Sequence, residues 1–329
     1  MIVNFLLLIG ALIVLTIGAE LLVRGAASVA RRLGVSSFFI GLTIVGFGTS
    51  APELATGISS ALRGYSDINV GNVVGSNIFN IAMILGVTAL LCPIPVQLRL
   101  VRAEAPLVIG VAFVPLLTLI SGGVVTWWMG AAMFAGLLVY IGRGFQSGRR
   151  DGAAEAAAEQ ELERELGITP ARAARPLLSV LLILAGLGAL VGGSMLLVDS
   201  AVGIARALGV SELVIALTIV SAGTSAPELV TSLVAALRKQ SDIAIGNILG
   251  SNIFNLLGIL GITSMIREQE VTRQTIMLDT PMMIAVSVAL LPIMNSHARI
   301  SRSEGAFLLV LYAAYVAILF TLAPGWFPS

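Results

Sequence analysis

The chain reads as an all-α polytopic membrane protein: ten transmembrane helices in two inverted five-helix repeats, with broken helices at the midplane. Three observations carry that reading. Of 329 residues, 57% are hydrophobic and 11% charged, with a mean hydropathy of +1.00, whereas a soluble domain carries about 25% charged residues. Residues 41–86 align with 216–261 without a gap and are identical at 29 of 46 positions. Each copy contains Gly-Thr-Ser-Ala-Pro-Glu-Leu, at 48–54 and 223–229, and so plants Glu53 or Glu228 in a stretch otherwise fit for hydrocarbon.

Hydropathy places helices at 2–23, 36–62, 67–91, 102–121, 124–145, 177–199, 211–237, 242–266, 278–296 and 303–323. The first lacks a basic n-region and outruns a signal h-region, so it is expected to stay as a membrane helix. Several others exceed the ~20 residues needed to span, which predicts tilt or breaks. No alternating barrel pattern appears. Trp127 and Trp128 fit an interfacial aromatic belt at the start of the fifth helix. Glu104 and Asp279 fall at helix starts near the interface, and Glu20 and Asp199 are read as interfacial.

The alignment divides the chain into a first five-helix repeat, 1–145, a linker, 146–175, and a second repeat, 176–329. Five is odd, so the second repeat must run upside down relative to the first. The basic residues test this separately. With the amino terminus outside, Lys and Arg divide 15 to 4 in favour of the cytoplasm, the bias that sets membrane orientation. Both termini are then external, and the acidic linker is cytoplasmic in a cell membrane. Its Ala/Glu-rich core is expected to form a short helix. It lacks the ligand pattern of a calcium-binding loop and reads as a solvated connector.

The chemistry sits in two segments per repeat. In the first, Pro52 or Pro227 lacks an N–H and blocks the bond to the carbonyl of Gly48 or Gly223. The helix breaks in mid-membrane and frees carbonyl oxygens, tolerable where the backbone is buried or faces a wet cavity. Half-helix ends of this kind suit a cation. In the second segment, Asn72, Ser76 and Asn80 are spaced four apart, as are Asn247, Ser251 and Asn255. Gly71 and Gly75 are expected to allow close helix approach. Inverted repeats would bring Glu53 and Glu228 to Ser50, Ser225, Ser76, Ser251, Asn80 and Asn255. Every donor is oxygen and the formal charge is −2. Such a set selects hard cations, calcium with its six to eight oxygens or sodium with fewer. Left without a cation, adjacent carboxylates would repel and one would take a proton. Asn72 and Asn77 read as interhelical glue. The two glutamates do not, because an intramembrane acid is costly and no basic residue in the span can pair with it.

Other functions are disfavoured. One cysteine, Cys92, and one histidine, His297, leave no multi-cysteine or histidine metal site, and argue against zinc and copper. An intramembrane hydrolase would need a nucleophile and base that the chain does not supply, and a net charge of +1 gives no sign of nucleic acid. Inverted repeats with broken helices favour a carrier over a passive channel.

The doubled motif, Gly-Thr-Ser-Ala-Pro-Glu-Leu followed by Gly-Asn-x-x-Gly-Ser-Asn-Ile-Phe-Asn, resembles the two alpha-repeats of the sodium/calcium exchanger family, in its prokaryotic branch. The resemblance spans all ten helices. It implies calcium bound by Glu53 and Glu228 with the carbonyls of Thr49 and Thr224. It implies sodium sites from Ser50 with Ser76 and Ser225 with Ser251, aided by carbonyls at Gly46 and Ser221. The first and sixth helices would slide across the remaining core. Family members commonly carry an aspartate in one repeat where this chain has Asn80 and Asn255, which disfavours potassium co-transport. The expected activity is calcium export against inward sodium, with proton/calcium antiport through the same glutamates as the alternative. No cofactor, enzymatic activity or obligatory protein partner is expected beyond Ca2+, Na+ and the bilayer.

Overall fold

The computed structural model describes residues 2–166, 176–208, 221–295 and 298–321. Helices dominate: α1 Ile2–Leu33, α2 Ser37–Thr49, α3 Ala51–Arg63, α4 Ser66–Leu91, α5 Leu98–Ala112, α6 Trp127–Leu166, α7 Pro176–Ala207, α8 Ser221–Thr224, α9 Ala226–Leu237, α10 Ser241–Ile266, α11 Thr275–Asn295 and α12 Arg302–Thr321. A 3-10 turn, Val114–Leu119, continues α5. Among the described residues, seven helices are long and apolar enough to cross a membrane, or eight when α2 and α3 count as one bent span. This is a multi-pass membrane protein. Of the expected seventh span only the part from Ser221 onward is described; His297, residues 167–175 and the chain end after 321 also lie outside the described residues.

Two helices outrun their sequence signal. Arg24, Arg31 and Arg32 lower local hydropathy, yet arginine is a good helix former, and α1 continues to Leu33. The fifth helix does not stop near 145. It runs for 40 residues to Leu166, about 60 Å at 1.5 Å per residue, so the first part of the connector is its direct extension.

Four two-residue strands interrupt the helical pattern. Residues Ile94–Pro95 (β1), Val124–Val125 (β2), Gln269–Glu270 (β3) and Arg299–Ile300 (β4) form two antiparallel ribbons, β1 with β4 and β2 with β3. Ile94 faces Ile300, and Val125 faces Gln269. Adding 175 to Ile94 gives Gln269, and subtracting it from Ile300 gives Val125. One ribbon therefore maps onto the other with its strands exchanged.

The chain forms two compact units whose bounds cut across the sequence repeats: residues 1–49 with 138–250, and residues 50–137 with 251–329. In the first unit, α1 and α7 lie backbone to backbone. A Cβ at Gly25 would meet Ser179 O at 2.9 Å and one at Gly186 would meet Leu22 N at 2.7 Å; Ser179 and Ser28 share a 2.8 Å hydrogen bond there. Small residues permit such contact where lipid offers no hydrophobic drive. Helix α2 presses as closely on α10, where a Cβ at Gly246 or Gly250 would lie 2.6 Å from Phe38 O or 2.2 Å from Leu42 O. Among the described residues nothing stands within 4 Å of a Cβ at Gly71 or Gly75, but the segment matching Phe38–Leu42 in the second repeat, 213–217, is outside the described residues.

In the second unit, the later part of α10 is almost wholly buried and α4 is buried along most of its length, and glycine pairs again exchange across the repeats. A Cβ at Gly130 would sit 2.6 Å from Gly261 O, and one at Gly305 would sit 2.7 Å from Gly86 O; each residue is 175 from its counterpart. Asp279 is buried, contrary to its reading as an interfacial helix-start residue, and accepts a 2.9 Å bond from the Tyr315 hydroxyl. Trp127 and Trp128 are exposed, as an interfacial belt requires.

Candidate functional site

The doubled motif sits at two helix breaks of the same construction. Helix α2 ends at Thr49 and α3 begins at Ala51, bent by 47°; α8 ends at Thr224 and α9 begins at Ala226. Ser50 and Ser225 carry the break, with ψ of 9° and 8° in place of a helical value. Proline is then second in each new helix, where a missing N–H costs nothing. The first available amides, Leu54 and Leu229, bond back to Ser50 O and Ser225 O at 3.0 and 3.2 Å.

One expectation about freed carbonyls fails. Gly223 O, released by Pro227, accepts a hydrogen bond from the buried Ser194 hydroxyl. The position matching Ser194 in the first repeat is Ala19, which has no hydroxyl to offer Gly48.

The unit formed by residues 1–49 and 138–250 holds Gly46, Thr49, Ser221, Thr224, Ser225 and Glu228. Glu228 and Ser225 are each 1% exposed. The Thr49 hydroxyl lies 3.0 Å from Asn247 Oδ1 and 3.3 Å from Gly46 O, so its proton goes to the nearer, amide acceptor. Asn247 Nδ2 donates to Ser232 Oγ at 2.9 Å and to the backbone carbonyl of Glu228 at 3.3 Å. This amide thus ties the end of one half-helix to the first turn of another. In the first repeat Gly57 stands where the second has Ser232, and Asn72 Nδ2 has no acceptor.

The other unit, residues 50–137 and 251–329, holds Ser50, Glu53, Ser76, Asn80, Ser251 and Asn255. All six are buried, Glu53 at 1%. Helices α4 and α10 widen into π turns at Phe79–Leu85 and Phe254–Leu260, the same stretch of each repeat. Such turns concentrate at functional sites. Asn80 and Asn255 are the second residues of those turns and meet the opposite helix through its asparagines. Asn80 Nδ2 donates to Asn252 Oδ1 at 3.1 Å, and Asn255 Nδ2 donates to Asn77 Oδ1 at 3.1 Å. The two bonds are exchanged by the repeat, as the ribbons are.

Among the described residues Glu53 Oε2 and Glu228 Oε2 are buried acceptor atoms outside any hydrogen bond, while each glutamate residue makes other interactions. Among the described residues no group of three or more His, Cys, Asp or Glu is assembled; the candidate donors are carboxylate, hydroxyl, amide and carbonyl oxygens. Such donors suit hard cations. Sequence reasoning named twelve candidate residues but not Ser194, Ser232 or the orienting bonds of Asn77 and Asn252, because those depend on partners far along the chain. The one available signal was a hydroxyl or amide in each apolar span, which does not name its partner. Glu20, read as interfacial, bonds Arg24 and, at 2.8 Å, Arg238.

Comparison with known proteins identifies the family. A family model described as sodium/calcium exchanger protein matches residues 3–143 and 178–321. The sodium/calcium exchanger MaX1 of Methanosarcina acetivorans is 33% identical over 97% of this chain and 99% of its own. The inner membrane protein YrbG of Escherichia coli is 32% identical over 97% of both. The structure resembles that of the sodium-calcium exchanger NCX_Mj soaked with zero Na+ and Ca2+, at a TM-score of 0.81 and 28% identity over 97% of this chain and 99% of that one. The chain belongs to the sodium/calcium exchanger protein family.

Proposed function

We propose that this protein is a secondary active antiporter that exchanges Ca2+ for Na+ by alternating access, with Glu53 and Glu228 supplying the charge that holds calcium. One observation carries the reading: two acids, each 1% exposed, occupy matching positions of a doubled motif in a chain of this family. The carbonyls of Thr49 and Thr224 complete the calcium ligands. Ser50 with Ser76, Ser225 with Ser251, and the Gly46 and Ser221 carbonyls serve sodium, and the amide oxygens of Asn80 and Asn255 add neutral ligands to the cavity that both ions share.

The physics of coupling follows from charge. Two carboxylates in a medium of low dielectric are costly without a counter-ion. The loaded carrier is therefore the one that reorients, and calcium leaves only when sodium replaces it. Ten spans in two inverted repeats, with both termini outside, are the topology we assign. The exchanged ribbons, glycine pairs and asparagine bonds support the repeat relation, and the excess of Lys and Arg in the connecting segments supports the orientation.

Purified protein in liposomes loaded with sodium, potassium or acid, then offered radiolabelled calcium, tests the reading. Uptake driven by internal sodium is the expected result. Uptake driven only by internal acid would assign proton/calcium exchange to the same glutamates instead.

A further inference from the structure

Asn77 and Asn252 lie in the buried centre of α4 and α10, each 2% exposed, and neither is a cation ligand in the reading above. Their bonds form a chain with a fixed direction. Asn77 Nδ2 donates at 3.2 Å to the backbone carbonyl of Asn252, which can only accept. That fixes which end of the Asn77 amide is nitrogen, so its Oδ1 must point the other way. There it receives Asn255 Nδ2 at 3.1 Å, which fixes Asn255 in turn. Among the described residues, the Asn255 Oδ1 is left as a buried oxygen with no hydrogen-bond partner. In the repeat-related arm Asn80 Nδ2 goes to Asn252 Oδ1, and Asn80 Oδ1 is likewise buried without a partner among those residues. This arm lacks the backbone anchor, since among the described residues Asn252 Nδ2 has no partner either.

An amide turned the other way would present N–H groups in place of the oxygen, and an N–H repels a cation. We infer that Asn77 and Asn252 are positioning residues that hold the Asn255 and Asn80 amides oxygen-outward, making them neutral cation ligands. The inference rests on the proposed antiport and deepens its ligand set. Asparagine at 255 then has a physical reason: only a donor there satisfies the acceptor fixed at Asn77 Oδ1, and Asn80 meets Asn252 in the same way without that anchor.

The test separates orientation from packing. A carboxyl group has oxygen at both ends, so an acid at 255 does not depend on which way it is turned. Calcium half-saturation would be measured in liposomes for Asn77→Leu, Asn255→Asp and the double variant. Asn77→Leu should raise half-saturation about tenfold or more, the size of one contact to a charged group. The same change made on the Asn255→Asp background should raise it less than about twofold. Asn77→Asp, which keeps an acceptor toward Asn255, should stay within about threefold of the native value. Asn252→Leu, alone and on Asn80→Asp, gives the same comparison at the arm where no side-chain donor is lost, and it decides the matter should Asn77→Leu not fold. Equal penalties on both backgrounds would show a packing role and overturn the inference. Normal calcium transport by Glu53→Gln would instead overturn the assignment of the site, and leave the amide comparison to be read with whichever cation is carried.

Discussion

Asn247 joins Thr49 to Glu228: its Oδ1 accepts the Thr49 hydroxyl at 3.0 Å while its Nδ2 reaches the Glu228 carbonyl at 3.3 Å. One buried amide thereby sets the distance between two backbone segments of the motif. Asn247→Leu would take the nearer acceptor from the Thr49 hydroxyl, leaving it Gly46 O at 3.3 Å, and would remove the donor that Ser232 Oγ and the Glu228 carbonyl receive. Each unmet group costs about 1–3 kcal/mol, so a drop in detergent melting temperature is expected together with weaker calcium transport. Unchanged stability and transport would show that the amide is dispensable.

Glu53→Gln and Glu228→Gln should each abolish calcium transport while the protein still elutes as a folded species. Glutamine keeps the shape of the side chain and removes its charge, and calcium needs the charge. Normal flux in either variant would remove that residue from the site.

Exchange should generate current. A site of charge −2 is neutral with one calcium ion and becomes positive if three sodium ions replace it. An imposed membrane potential would then alter sodium-driven calcium flux at fixed ion gradients. Complete insensitivity to voltage would indicate two sodium ions per calcium.

Potassium should be neither required nor carried, because both π-turn positions hold a neutral asparagine. Replacing potassium by choline should leave sodium-driven flux unchanged, and a strict potassium requirement would contradict this. Asn255→Asp adds a second readout. The new acid faces Asn77 Oδ1, an acceptor held in place by Asn77's own bond to a carbonyl, so its protonated form can donate there as the amide does. At low pH, where the acid is protonated and donates as the amide did, the variant should resemble the native protein. As pH rises and the proton leaves, its cation affinity should depart from native.

Gly250→Ala should be severely destabilising, since the added Cβ would fall 2.2 Å from Leu42 O. Gly10→Ala, where nothing lies within 4 Å, is the matched control and should be neutral or slightly stabilising, because alanine is the better helix former. Similar melting temperatures for the two variants would show that α2 and α10 are not in such close contact.

The features legible in the sequence are those with local causes. The break before Pro52 and Pro227 follows from a missing N–H, and the burial of Glu53 and Glu228 follows from the apolar run around them. Features that need a distant partner were not legible. Ser194 could be seen in its span, but nothing nearby in sequence points to Gly223, 29 residues on. Asn77 was readable as a buried amide, yet its bonding to residues 175 and 178 positions away decides its role. The end of the fifth helix was misplaced for a related reason. Gly148 and Gly152 look like punctuation, but they are where α6 passes close to Phe39 and the backbone of Gly34: an added Cβ would lie 2.9 Å from Phe39 Cβ or 2.5 Å from Gly34 O. No proline occurs between Trp127 and Leu166 to end the helix.

The two ribbons bear on biogenesis. Each joins a strand made early to one made late: Ile94 waits for Ile300 and Val125 for Gln269. Neither can close while the ribosome is still translating the first repeat, so that half must sit in the bilayer with its ribbon edges unpaired until the second arrives. Closing contacts this far apart in sequence is intrinsically slow. A chain truncated after its first five helices would keep those edges open, and a second copy of the same fragment is the nearest available substitute for the missing half.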